Sequence, residues 1–190
     1  YAAMSSKLTV TKVDPDVQPT FVQKYADGTI YNNSLVVECG ERNTYISYSD
    51  IYEYDYSNYY STGSYEQSFA GESELTSAID YVTNDELPKL YALTGHGESE
   101  LSTSFETAVA KQNVEIESLS LLTTDGVPED ADCLLINAPM SDISESERDS
   151  ILEYLASGGK LILITGPLQD GTELTNLEAV MEYYGVTAAD

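Results

Sequence analysis

The chain has 190 residues, 42% of them hydrophobic, with 33 acidic against 8 basic side chains and a formal net charge of -25. That length suits one ordinary domain or two small ones, and the apolar content excludes wholesale disorder. The charge disfavours nucleic acid and anionic membrane surfaces, which need clustered Lys and Arg, whereas it is compatible with solubility, cationic partners or weak divalent-ion binding.

The two cysteines, Cys39 and Cys133, each sit in an apolar run. They read as buried free thiols, with a disulfide between them left open. No CxxC or His/Cys cluster has metal-ligand spacing, so no metal and no cofactor is implied. No apolar stretch approaches the roughly 18 residues that span a bilayer, and no signal peptide is visible. A first residue of Tyr1 instead of Met fits a processed product or an excised piece, which leaves the parent protein's membrane topology open.

Lys7–Val13 alternates apolar and polar residues as a half-buried strand does. Thr20–Tyr25 supplies one or two helical turns, and Asp27-Gly28 is a turn signal. Ser34–Cys39 and Thr44–Tyr48 read as strands joined by a hairpin loop over 40–43. Residues 49–70 lack a continuous apolar face, and tyrosines recur at 52, 54, 56, 59, 60 and 65. This segment is expected to form an irregular loop or an edge hairpin. Its rings either cover the domain or bind a glycan or peptide.

Leu75, Ala78, Ile79 and Val82 recur at helical spacing and predict a helix ended by Asn84 and Pro88. From Lys89 onward strands and helices alternate. Leu90–Leu93 is a strand, Ser99–Gln112 a helix, and Val114–Leu122 a strand. Cys133–Asn137 is a buried strand. Ser144 with Glu147 forms a capping box that opens a helix carrying Ile151, Leu152 and Leu155. Gly158-Gly159 stops that helix. Lys160–Ile164 is another strand, and a last helix runs from Leu174 to Tyr184. The alternation implies βαβ crossovers and a mostly parallel, flavodoxin-like or amidotransferase-like α/β sheet with helices on both faces. The uniformly apolar runs Cys133–Ile136 and Leu161–Ile164 fit strands covered on both sides. Three parts are expected: a partial α/β segment over 1–50, thioredoxin-like at most; a Tyr-rich linker over 51–71; and the flavodoxin-like domain over 72–190.

Ligands of such sheets bind beyond the carboxyl ends of the strands. The turns there hold Gly95, His96, Gly97 and Glu98, then Asn137 and Pro139, then Thr165 and Gly166, which are the candidate ligand residues. His96 is the only histidine. A phosphate cradle would need GxGxxG or GxxxxGK[ST], and Glu98 opposes a phosphate. A nucleophile elbow would need a Ser or Cys where His96 stands. His96 and Glu98 supply at most two metal ligands. They could form an acid–base pair, the basis of a hydrolase or amidase reading, but no nucleophile or oxyanion partner is evident. Alternatively, Gly95 and Gly97 serve positive φ or close packing, with His96 hydrogen-bonded to a neighbouring strand-end loop.

The segment from Phe69 to Thr83 followed by Tyr91-Ala92-Leu93-Thr94-Gly95-His96-Gly97-Glu98 resembles the gliding-motility-type (GldG-like) auxiliary subunits of bacterial ABC transporters. Val127–Asp132, Asn137-Ala138-Pro139 and Gly158-Gly159-Lys160-Leu161 continue the resemblance. It implies a non-catalytic domain on the extracytoplasmic face of the bacterial cell membrane, in a membrane-anchored parent protein. It also implies partnership with an ABC permease and ATPase. It supplies no ligand; a glycan or small molecule stands as a separate candidate beside it. The family's α/β domain is related in fold to class I glutamine amidotransferases, whose nucleophilic cysteine has no counterpart at the elbow here.

Overall fold

The computed structural model describes residues 3, 5–25, 30–167 and 171–187. The chain forms two compact units, Tyr1–Asp85 and Glu86–Asp190. The anticipated turn at Asp27-Gly28 lies outside the described residues.

The first unit runs α1 (Pro19–Tyr25), β1 (Leu35–Cys39), β2 (Arg42–Ile46), α2 (Tyr48–Ile51), β3 (Tyr52–Asp55), α3 (Tyr59–Thr62), β4 (Glu66–Phe69) and α4 (Gly71–Thr83). β1 and β2 pair antiparallel from Leu35↔Ile46 to Cys39↔Arg42, around a two-residue Gly40-Glu41 turn. α4 packs its buried Ala78 and Val82 side of the helix against this hairpin. Arg42 pins the arrangement: its guanidinium lies 4.5 Å from the centroid of the Tyr81 ring and donates to the Asn84 carbonyl at the end of α4. The helix predicted at 72–83 therefore forms, but within the first unit, because its apolar stripe finds the β1–β2 hairpin.

Two expectations need correction, the second of them spanning both units. Lys7–Val13 is not a strand; its alternation finds no partner strand among the described residues. Cys39 is exposed, because it closes β1 beside the turn, and Cys133 is half-buried; both thiols are free. Burial pushes the Cys133 thiol above its ordinary range.

The second unit runs β5 (Lys89–Leu93), α5 (Thr103–Ala110), β6 (Glu115–Leu119), β7 (Cys133–Asn137), α6 (Glu145–Ala156), β8 (Leu161–Ile164) and α7 (Thr175–Tyr183). Its four strands form one parallel sheet in the order β6-β5-β7-β8. Counted from β5, this is the 2-1-3-4 winding of flavodoxin-like sheets. The β5→β6 and β7→β8 connections step in opposite directions, so right-handed crossovers put α5 and α6 on opposite faces. α5 begins four residues later than its apolar spacing predicts, at the point where the Ser102 hydroxyl accepts a hydrogen bond from Phe105 N.

The main core lies under α6 and α7. Leu93, Leu134 and Ile136 from the sheet meet Ile151, Leu155, Leu177 and Val180 from the helices. α6 ends at a tight approach: a Cβ on Gly159 would fall 2.4 Å from the Tyr154 ring. The Tyr154 hydroxyl in turn accepts from Lys160 N at 3.2 Å, which fixes the entry into β8. β8 corrects another expectation. It is an edge strand whose Leu161 and Leu163 pack on the core, whereas Ile162 and Ile164 on the other side are 42% and 44% exposed. An apolar run by itself does not say that both faces are covered. Among the described residues no helix is long and apolar enough to cross a membrane.

At the opposite end of the sheet, Lys89 Nζ lies 2.7 Å from Asp130 Oδ2, and the Tyr91 hydroxyl donates to Asp130 Oδ1 at 3.1 Å. The Lys89 and Tyr91 hydrogen bonds hold the Asp130 carboxyl below the usual carboxylate range.

Two outcomes follow. In urea titrations Leu134→Ala costs about 2–5 kcal/mol, as a fully buried leucine does, whereas Ile162→Ala costs about 1 kcal/mol or less; equal costs would mean that the outer side of β8 is covered. The stability that Asp130 adds is present above the ordinary carboxylate pKa and is lost as pH falls through its lowered value. Stability measured in steps below about pH 5 therefore falls more steeply for the parent than for Asp130→Asn, and parallel curves would contradict the assignment.

Candidate functional site: the strand-end rim

The rim is built where β5 and β7 release their chains at the point where the strand order reverses. After β5, Thr94 N still bonds Leu119 O at 2.8 Å. The chain then turns through Gly95 (φ +127°) and Gly97 (φ +75°), conformations that favour glycine. Gly97 also faces Met140, whose Cβ would stand 3.2 Å from an added methyl group.

Between these glycines the His96 side chain points inward and is 5% exposed. Glu98 folds back over the turn. Its Oε2 accepts from Gly95 N at 3.0 Å and from His96 N at 2.8 Å, while Oε1 lies 3.2 Å from His96 Nδ1. His96 Nε2 lies 3.2 Å from Oε2 of Glu147. Glu147 occupies the third position of α6. The same Oε2 accepts from Ser144 N and Ser144 Oγ, each at 2.8 Å, which completes the capping box. Glu147 is buried, and among the described residues its Oε1 has no hydrogen-bond partner.

Each ring nitrogen thus meets a carboxylate. A doubly protonated ring donates to both; a neutral ring donates to one, and the other contact then needs a proton on the carboxyl group. Either way the imidazole is consumed by internal partners. The hydrolase reading requires this ring to reach a substrate, and the geometry offers it none of its nitrogen lone pairs or N–H groups on the open side.

The backbone closes the rim further. The His96 carbonyl accepts from Met140 N at 2.9 Å and Ser141 N at 3.0 Å. Ser99 N donates to Asn137 O at 2.8 Å, and Asn137 Nδ2 donates back to Ser99 O at 2.7 Å. Ala138 N reaches Ile164 O at 2.8 Å, and a Cβ on Gly166 would lie 3.0 Å from Ala138 Cβ. The three predicted turns therefore do meet. Gly95, His96, Gly97 and Glu98 are joined to Asn137 and its loop, and Gly166 abuts Ala138. Pro139 is buried, and Thr165 is exposed at the margin. The expected crevice between β5 and β7 is laced by hydrogen bonds across it.

The sequence reading of the elbow also needs correction. The non-glycine residue at positive φ at a strand end is Ala138, at +49°, directly after β7. Its side chain is a methyl group and supplies no nucleophile. Sequence reasoning recognised Glu147 only as a helix cap. Its contact with a histidine 51 residues away has no local signature. Among the described residues no group of three or more His, Cys, Asp or Glu side chains could hold a metal ion.

Removing the ring leaves two buried carboxylates without their shared partner. His96→Leu is expected to cost about 3–5 kcal/mol. The His96→Leu/Glu147→Gln double variant should lose less than His96→Leu alone, because the second change removes a stranded charge. Denaturant unfolding of the four species checks this; a His96→Leu protein as stable as the parent would refute the coupling.

No curated protein matches the chain, and no solved structure does. A family model described as an ABC-type uncharacterized transport system, the auxiliary component of ABC transporters, matches residues 87–190. That span coincides with the second compact unit and covers more than half of the chain. The chain accordingly belongs to this auxiliary family of ABC-type transport systems.

Proposed function

We propose that this chain is a non-catalytic, GldG-like binding domain of an ABC-type transport system, positioned on the extracytoplasmic face of the bacterial cell membrane by anchoring segments of its parent protein. The observation that carries the reading is the family match over the whole doubly wound unit. The rim supports it, because the one histidine spends both ring nitrogens on Glu98 and Glu147. A domain of this kind works through its surfaces, by contacting the permease, which in turn carries the ATPase, or by presenting a cargo to it.

Two measurements test the proposal. Affinity purification of the membrane-bound parent protein is expected to bring down an ABC permease and its ATPase in fixed ratio; a parent that purifies alone under mild detergent counts against the partnership. The exposed Cys39 thiol reports the location. In spheroplasts a membrane-impermeant maleimide labels it before lysis, with Cys39→Ser as the control, whereas labelling only after lysis overturns the extracytoplasmic placement.

A further inference from the structure

The strands β3 and β4 pair antiparallel from Tyr52↔Phe69 to Asp55↔Glu66. Alternation sorts the ribbon into two faces. Tyr52, Tyr54, Gln67 and Phe69 share one face, and Glu53, Asp55, Glu66 and Ser68 share the other. Beyond the strand ends the aromatic face widens into a connected cluster. Tyr54 contacts Tyr56 and Tyr65 at centroid distances of 6.2 and 5.6 Å. Tyr56 contacts Tyr59 and Tyr65 at 6.1 and 5.5 Å, and Tyr59 contacts Tyr60 at 6.0 Å. All five rings are exposed, and Tyr60 is 99% exposed.

Exposed aromatic clusters of this size mark interaction surfaces, because each ring left in water forgoes burial. Two further observations decide the kind of partner. The first is ring orientation. Only the Tyr54–Tyr56 pair is near parallel, at 24°; the other four contacts are inclined by 41° to 80°. Rings so tilted do not form the flat platform on which successive sugar rings stack. Their inclined faces and edges suit contact with separate side chains better than with a run of flat rings. The second is charge. From Asn43 to Pro88 the chain contains no lysine or arginine. Asp55 and Glu66 stand directly opposite each other on the ribbon, a like-charge pairing that is unfavourable in isolation. Ser57 N donates to Asp55 Oδ1 at 2.8 Å and keeps that carboxylate ionised. A cation from a partner relieves that repulsion, and the tyrosine rings on the other face attract further cations through their quadrupoles.

We propose that the loop end of the β3–β4 hairpin is a docking surface for an arginine- or lysine-rich polypeptide segment, some of whose cationic side chains lodge among Tyr54, Tyr56, Tyr59, Tyr60 and Tyr65 while others reach round the last rung of the ribbon to Asp55 and Glu66 on its other face. The surface needs nothing from the rim around His96, and the inference stands whether or not the transport reading does.

The chain has no tryptophan, so its fluorescence comes from 16 tyrosines, and the part of a binding signal lost in the Tyr56→Ser/Tyr60→Ser variant is the cluster's own. The probe is a synthetic decapeptide of alternating Arg and Gly at physiological salt, with a Glu-Gly decapeptide and a neutral hexasaccharide as comparators. Saturable binding of the Arg-Gly peptide is expected. The Tyr56→Ser/Tyr60→Ser variant should weaken it about tenfold, and Asp55→Asn/Glu66→Gln should weaken it and flatten its salt dependence. Glu117→Gln/Glu129→Gln removes the same charge from exposed positions elsewhere and should leave affinity unchanged. Circular dichroism confirms that the variants fold. The proposal fails if the remote charge variant weakens binding as much as the hairpin variant, because the attraction is then general. It also fails if the tyrosine variant binds like the parent, or if the hexasaccharide saturates the site and the peptide does not.

Discussion

A single imidazole, closed off from water, stands between two carboxylates that lie far apart in the second unit's sequence. Glu98 belongs to the turn after β5, and Glu147 to the first turn of α6. Burying charge is costly, and the cost is met here by mutual pairing and by the backbone donors of Gly95, His96 and Ser144. Few ways of placing β5, β7 and α6 keep all of these contacts. The rest of the unit is consistent with that constraint: the His96 carbonyl draws in Met140 and Ser141, and Asn137 and Ser99 exchange hydrogen bonds beside it.

This arrangement uses up the position where a flavodoxin-like sheet ordinarily admits a ligand. The switch point between β5 and β7 exists, and the glycines give the tight paths that such sites require. Yet the polar groups that converge there bond chiefly to one another, with Glu147 Oε1 left over among the described residues. The fold keeps the layout of a ligand-binding sheet while its central loops act as a clasp. The chain belongs to a family of auxiliary components of ABC-type transport systems.

The first unit has a different physical character. Its hairpin β1–β2 and α4 make a small core, tied by Arg42 to Tyr81 and to the end of α4. The β3–β4 ribbon adds little to that core and carries its aromatic side chains outward. Stability and display are thus divided between neighbouring segments of one unit.

Sequence by itself determined the elements whose signals lie within a few residues. The Ser144–Glu147 capping box, the apolar stripe of α4, the glycine stop after α6 and the βα alternation from Lys89 onward could all be read, because capping and amphipathic spacing act over one or two helical turns. The meeting of the three rim turns was also legible, since parallel strands must end on the same edge. Only the tertiary structure decided what those elements face. It assigned α4 to the first unit, left Lys7–Val13 without a strand partner, put β8 at the sheet edge with Ile162 and Ile164 uncovered, and set Asp55 against Glu66. It gave Glu147 its second task as the partner of His96. Each of these depends on contacts between residues far apart in the chain, and periodicity records that a side chain is apolar or charged without recording which distant group will meet it.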